Sequence, residues 1–174
     1  EIALSEGKKV GAFTASNADS VLGANTKVQL YELNEMLRRK TLRKLMLNGV
    51  SIPCTDGVLI DDEAEIGADT VILPGTIIKR GVKIGNNCEI GPNTVLIETT
   101  VGNNCVLNSV QAEYSIVADN ATIGPFVHLR PQANIGNGVH CGNFVEVKNS
   151  AIGDNTSISH LTYVGDSDVG KNVN

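Results

Sequence analysis

The chain has 174 residues, a formal net charge of −5, 3% aromatic residues and no tryptophan. That length buries a real core in one domain or slightly more. The acidic balance speaks against nucleic acid as a default partner, because nothing offsets phosphate repulsion globally. No apolar run approaches the roughly 20 residues of a membrane span, so no membrane insertion is expected. With so few aromatics, the core has to be built from small aliphatic side chains. No signal peptide opens the chain, and the location expected is the cytoplasm. It begins without Met at Glu1-Ile2-Ala3 and stops in mid-repeat at Asn174, so both ends read as cut.

The opening segment differs in kind from the rest. Val10-Gly11-Ala12-Phe13-Thr14 predicts a strand, and Asn17 to Asp19 a turn. Gly23-Ala24-Asn25-Thr26 then leads into a helix over about 28–47, with Thr26 and Gln29 spaced as a capping box and Asn48-Gly49 as the stop. Its apolar stripe drifts: Leu30, Leu33 and Leu37 lie on one side, Leu42, Leu45 and Met46 on another. Such a helix suits a connecting arm between two bodies. The cations Arg38, Arg39, Lys40, Arg43 and Lys44 crowd together without interleaved aromatics and read as a solvated helix face. Residues 51–62 are turn-rich.

From Ile66 onward a six-residue period takes over. Aliphatic residues fall at Ile66, Ile72, Ile78, Ile84, Ile90, Leu96, Val101 and Leu107, pass an imperfect stretch through Ala112 and Val117, and resume at Ile123, Leu129 and Ile135. They continue at Cys141, Val147, Ile152, Ile158, Val164 and Val169, and many are followed directly by Gly. A helix needs a period of 3.6 and a flat strand a period of two. A period of six predicts a parallel β-helix of hexapeptide repeats, each short strand forming one side of a triangular coil. Cys88 and Cys105 lie two residues before a repeat position and Cys141 occupies one, so all three point inward. With no C-x-x-C pair, Cys54 included, the four cysteines read as reduced, unpaired thiols.

Function then belongs to the outward columns. Residues 17 or 18 apart stack at the inter-strand spacing of about 4.8 Å. This places Arg130 and Lys148 at equivalent sites of successive coils, beside a column of His128, Glu146 and Tyr163. Stacked like charges repel. Either an anion such as phosphate resolves the repulsion, with Arg as a fork and Lys as a point charge, or Glu146 pairs with one of the cations and nothing binds. His160 stacks over Asn143 and is either a general base suited to neutral pH or a turn residue without a task. His128, His140 and His160 occupy three registers and do not converge as zinc ligands.

The run Ile123-Gly124-Pro125-Phe126-Val127-His128-Leu129-Arg130-Pro131, with Gly142-Asn143-Phe144-Val145-Glu146-Val147-Lys148, resembles one bacterial enzyme family. So does Ser159-His160-Leu161-Thr162-Tyr163-Val164-Gly165-Asp166, ending in Val169-Gly170-Lys171-Asn172-Val173-Asn174. The family is that of the bifunctional N-acetylglucosamine-1-phosphate uridyltransferase/glucosamine-1-phosphate N-acetyltransferases. The resemblance implies three parts: 1–27 as the tail of an α/β nucleotidyltransferase (uridyltransferase) domain, 28–48 as a linker helix, and 49–174 as the first part of a left-handed β-helix acetyltransferase domain.

It further implies His160 as general base and Arg130, Lys148, Tyr163 and Asn174 as sugar-phosphate ligands, with Glu146 lining the site. Gly23-Ala24-Asn25-Thr26-Lys27 resembles the family's Gly-Val-Asn-x-Arg, whose Asn binds the catalytic Mg²⁺ and the sugar nucleotide. That role maps to Asn25, although Ala24 and Lys27 depart from the pattern. The implied chemistry is acetyl transfer from acetyl-CoA to glucosamine 1-phosphate, then uridylyl transfer from UTP to N-acetylglucosamine 1-phosphate. A homotrimer is expected. The family's Gly-rich nucleotide-binding start and its later coils are missing, so neither half-reaction is expected to be complete here. Two other readings stay open: a different hexapeptide acyltransferase, and a non-catalytic β-helix serving as a trimerisation module.

Overall fold

The computed structural model describes residues 1–16 and 22–174, so the turn expected at Asn17–Asp19 lies outside the described residues. Two compact units are present, Glu1–Leu37 and Arg38–Asn174. In the first, helix α1 (Ile2–Ser5) is a single turn. The strand expected at residues 10–14 is not formed. Strand propensity counts only where a neighbouring edge accepts the backbone hydrogen bonds, and no described strand pairs with this segment.

Helix α2 runs from Lys27 to Leu47, so the division between the units falls within it. Its start is the capping box read from the sequence. Gln29 N–H donates to Thr26 Oγ1 (3.1 Å), while Gln29 Oε1 accepts the N–H groups of Thr26 (3.2 Å) and Asn25 (2.8 Å). In the second unit, the end of the helix lends Thr41, Leu42 and Leu45 to the core.

The rest of the second unit is a parallel β-helix. The first sheet contains β1 (Leu59–Ile60), β4 (Ile77–Ile78), β7 (Val95–Ile97), β10 (Val110–Glu113), β13 (Val127–Leu129), β16 (Glu146–Lys148) and β19 (Tyr163–Gly165). The second contains β2 (Glu65–Ile66), β5 (Lys83–Ile84), β8 (Thr100–Val101), β11 (Ile116–Val117), β14 (Ala133–Ile135), β17 (Ser150–Ile152) and β20 (Asp168–Val169). The third contains β3 (Val71–Ile72), β6 (Glu89–Ile90), β9 (Val106–Leu107), β12 (Thr122–Ile123), β15 (His140–Cys141) and β18 (Ser157–Ile158). Each strand pairs in parallel with its counterpart one coil away. The coils start one strand earlier than the sequence suggested, because Ile60 is already buried and in register with Ile78.

The repeat positions are the core. Ile72, Ile90, Leu96, Leu107, Leu129, Cys141 and Val147 are fully buried, and so are Ala112 and Val117 of the imperfect stretch. There the register shortens to 16 residues, Val95 pairing with Gln111, without losing a buried position. The glycines after repeat positions have a steric cause: a Cβ on Gly85 would lie 2.7 Å from the Gly102 carbonyl of the next coil.

Two residues before each repeat position a second inward column needs small side chains, and its polar members are satisfied. Thr70 Oγ1 donates to Gly85 O (2.9 Å) and accepts Cys88 N–H (3.1 Å). One coil on, Cys88 Sγ donates to Gly102 O (3.1 Å) and accepts Cys105 N–H (3.4 Å). Cys105 Sγ in turn donates to Ala118 O (3.1 Å). At another corner the stack is made of side-chain oxygens: Asn103 Oδ1 accepts Asn86 N–H (2.9 Å), and Asp119 Oδ1 accepts Asn103 N–H (2.7 Å).

All four cysteines are free thiols, and Cys88, Cys105 and Cys141 are buried. Burial pushes the Cys141 thiol up to about 12; the hydrogen bond with Cys88, together with burial, pushes Cys105 up as well. The same hydrogen bond lowers the Cys88 thiol to about 7, so its protection rests on burial alone; a disulfide reagent at pH 8 should modify the native protein at Cys54 at most, and at the other three only after denaturation. Fast native labelling at Cys88 or Cys105 would contradict this register.

Candidate functional site

The outward face of the first sheet carries the chemistry, because strand alternation turns one residue on each side of a buried repeat position toward solvent. Around Leu129 these are His128 and Arg130; around Val147, Glu146 and Lys148; around Val164, Tyr163 and Gly165. Register sets His128 beside Glu146 and Glu146 beside Tyr163, and it sets Lys148 beside Gly165. Arg130 N–H donates to Val147 O (2.8 Å), which places Arg130 next to Lys148 as the spacing required.

The two stacked cations are each latched by a carboxylate. Arg130 Nη1 donates to Glu146 Oε1 at 2.8 Å, the pairing that the sequence left open against an anion. Lys148 Nζ donates to Asp166 Oδ2 at 3.2 Å, and the other oxygen, Oδ1, accepts Asn149 Nδ2–H at 2.7 Å. The backbone adds a third tie, Asp166 N–H donating to Lys148 O at 3.0 Å. Above Arg130, Glu113 accepts a hydrogen bond from Gln111 (2.6 Å) and stands 3.8 Å from His128 Nε2, a buried nitrogen with no hydrogen-bond partner among the described residues. Arg130 and Lys148 thus face Glu113, Glu146 and Asp166, so the column is amphoteric rather than cationic.

Asp166 had no role in the sequence reading, although it lies 18 residues after Lys148 and obeys the same stacking rule. Glu113, 17 residues before Arg130, was missed in the same way.

His160 is exposed on the bend between β18 and β19, and its imidazole makes no hydrogen bond or ion pair with the described residues. Thr162 Oγ1 donates to the His160 carbonyl (2.8 Å), and Leu161 N–H donates to Asn143 O (3.1 Å), which fixes the turn. Tyr163 is exposed on β19. Asn174 lies elsewhere. Ser157 N–H donates to Val173 O (2.8 Å), so the following residue, Asn174, falls beside the third sheet. One prism therefore groups Arg130, Lys148, Glu146 and Tyr163 on one face, sets His160 at the adjoining turn, and leaves Asn174 on another face.

Asn25 belongs to the first compact unit. Only its backbone enters the cap; its side-chain amide makes no hydrogen bond with the described residues. Among the described residues no group of three or more His, Cys, Asp or Glu side chains is placed to hold a metal ion. Asn25 therefore offers one hard oxygen ligand and not a complete metal site.

Hydrogen bonds from Asn149 and then Lys148 hold the Asp166 carboxyl below the usual carboxylate range. A group depressed in this way keeps its latch at neutral pH and loses it as pH falls through the depressed value, below the roughly 3.9 of a free Asp. Carboxyl NMR titration should give a low apparent pKa for Asp166, raised more by Asn149→Ala than by Lys148→Ala. An ordinary pKa in the unsubstituted chain would remove the latch.

Fold and site define the class: a hexapeptide-repeat parallel β-helix carrying an amphoteric outward column. Within that class, the chain is similar over nearly its whole length to the bifunctional protein GlmU. It is 41% identical to that of Streptococcus agalactiae over 97% of this chain and 37% of the relative. It is 49% identical to that of Acetivibrio thermocellus over 100% of this chain and 38% of the relative. The chain thus spans little more than a third of the length of these relatives. Residues 54–130 match the model of the GMPPB C-terminal domain. Among solved structures, a mutant perosamine N-acetyltransferase from Caulobacter crescentus in complex with CoA and GDP-perosamine covers 79% of this chain and 60% of its own, at 17% identity and a TM-score of 0.40. No described helix is long and apolar enough to cross a membrane.

Proposed function

We propose that the chain is the end of the uridyltransferase domain, the linker helix and the first acetyltransferase coils of a bifunctional enzyme that makes UDP-N-acetylglucosamine. In that enzyme, acetyl-CoA acetylates glucosamine 1-phosphate, and UTP then uridylylates the product. The observation that carries the reading is the amphoteric column beside a histidine, His160, that has no side-chain partner among the described residues. Glucosamine 1-phosphate is itself a zwitterion, with an ammonium that suits Glu146 and a phosphate that suits Arg130 and Lys148, so its charges can replace the latches.

Acetyl transfer needs the amine neutral. His160 takes one proton from the 2-ammonium, the freed nitrogen lone pair attacks the thioester carbonyl, and as the C–S bond breaks the nitrogen's surplus proton passes to the departing sulfur, releasing coenzyme A as the thiol. Arg130, Lys148 and Tyr163 fix the sugar phosphate so that attack is effectively intramolecular. Asn174 stands on another face of the prism, and this supports a site completed by a neighbouring prism, as in a homotrimer. In the uridylyl half, Asn25 would be one oxygen ligand for Mg²⁺, which would neutralise phosphate charge when bound; a side chain with no hydrogen bond among the described residues supports that role over a capping role, which Thr26 already fills. One observation favours a non-catalytic β-helix instead: both cations already have carboxylate partners.

Two substitutions in the full-length enzyme separate these readings. His160→Ala should lower acetyl transfer on the order of 10²–10⁴-fold, as loss of a positioned base does, and leave uridylyl transfer from supplied N-acetylglucosamine 1-phosphate unchanged. Near-normal acetylation would make His160 a turn residue only.

Asn25→Ala should do the reverse, crippling Mg²⁺-dependent uridylyl transfer while acetylation persists. A helix-start defect alone would instead cost roughly 0.5–2 kcal/mol of stability, so a thermal melt is run beside both assays. Equal modest losses in the two activities would defeat the metal assignment.

A further inference from the structure

The column that holds Arg130 and Lys148 continues in the next coil as Gly165, the register partner of Lys148. Successive outward positions of β19 are Tyr163 and Gly165, which point to the same face. A Cβ built on Gly165 would meet the Tyr163 ring, lying 2.5 Å from Cζ and 2.7 Å from Cε1, with the hydroxyl oxygen nearest of all. Every one of these nearest atoms is tyrosine side chain and none is backbone. Nor is Gly165 among the glycines in the left-handed region, so its backbone accepts a larger residue without strain. The bare glycine leaves the floor on which the phenol ring lies. Tyr163 is 59% exposed and its hydroxyl makes no hydrogen bond with the described residues, so no polar tie among them holds the ring.

We infer that Gly165 is a positioning residue for Tyr163: lacking a side chain, it lets the phenol fold back along β19 and sets its hydroxyl beside the Lys148 column, where a sugar phosphate is bound. The inference rests on the acetyl-transfer reading for its consequence in catalysis, but not for the geometry itself. A methyl group at residue 165 lifts the ring away while fold and charge stay as they are.

The test is a double-mutant cycle in the full-length enzyme with Gly165→Ala, Tyr163→Ala and both together, joined to an NMR measurement on this chain. Gly165→Ala should lower acetylation kcat/KM ~10–100-fold, the scale of a small misplacement. The loss should appear in the KM for glucosamine 1-phosphate and not in that for acetyl-CoA, with melting temperature and uridylyl transfer unchanged. Because the glycine acts through the tyrosine, the double variant should be no worse than Tyr163→Ala alone. With 3 tyrosines in the chain, ring labelling resolves Tyr163, and an NOE from its ring to the Gly165 α-protons should be present and absent in Gly165→Ala. Additive losses, or a Gly165→Ala enzyme that behaves as wild type while Tyr163→Ala is crippled, would overturn the inference, as would a missing NOE in the unsubstituted chain. A silent Tyr163→Ala with the NOE intact would overturn the sugar-phosphate role of Tyr163 and leave the ring placement standing.

Discussion

Everything in the second unit depends on parallel in-register stacking from one coil to the next. Backbone hydrogen bonds hold consecutive coils about 4.8 Å apart, so each residue type is repeated in a column before any tertiary contact is chosen. Inside, this demands shape: aliphatic side chains at repeat positions, and small ones two residues earlier. Outside, it demands electrical compatibility, because every charged side chain has a neighbour directly above and below. The latches of Arg130 and Lys148 answer that demand. Both pairs are substantially exposed, and exposed pairs add little to stability. Their importance is local: they fix where the cationic atoms stand.

The same rule explains what the sequence disclosed. A period of six names the fold because no other regular structure has it, and register follows by counting. The three inward cysteines were therefore legible one by one. The capping box of Thr26 and Gln29 was legible because it is a local hydrogen-bond exchange. The strand expected at 10–14 failed because its partner, unlike a cap, is not encoded nearby. The coil boundary was misjudged by one strand because Ile60 sits amid turn residues that masked its periodicity.

The site was legible as a column but not as a charge balance. Counting forward from Lys148 reaches Asp166 and counting back from Arg130 reaches Glu113, yet counting does not reveal which carboxylate turns toward which cation. Side-chain rotamers decide that, and they are set by three-dimensional neighbours such as Asn149. The floor beneath Tyr163 is subtler still. Glycine follows many repeat positions here for backbone packing, so Gly165 looks like one more instance of that pattern. Only coordinates show that its missing side chain makes room for a ring instead.

The end of α2 has a consequence for how copies of the molecule can meet. A solenoid's terminal coil presents unpaired backbone groups, an open edge onto which another strand can grow. In the second unit Leu42 and Leu45 join the core, while Arg38 Nη1 donates to the carbonyls of Thr55 (3.1 Å) and Val58 (3.4 Å), just before β1. The helix thus works as a stopper. With it seated, the first coil's end is covered by helix side chains rather than offered as a bare edge to a further strand.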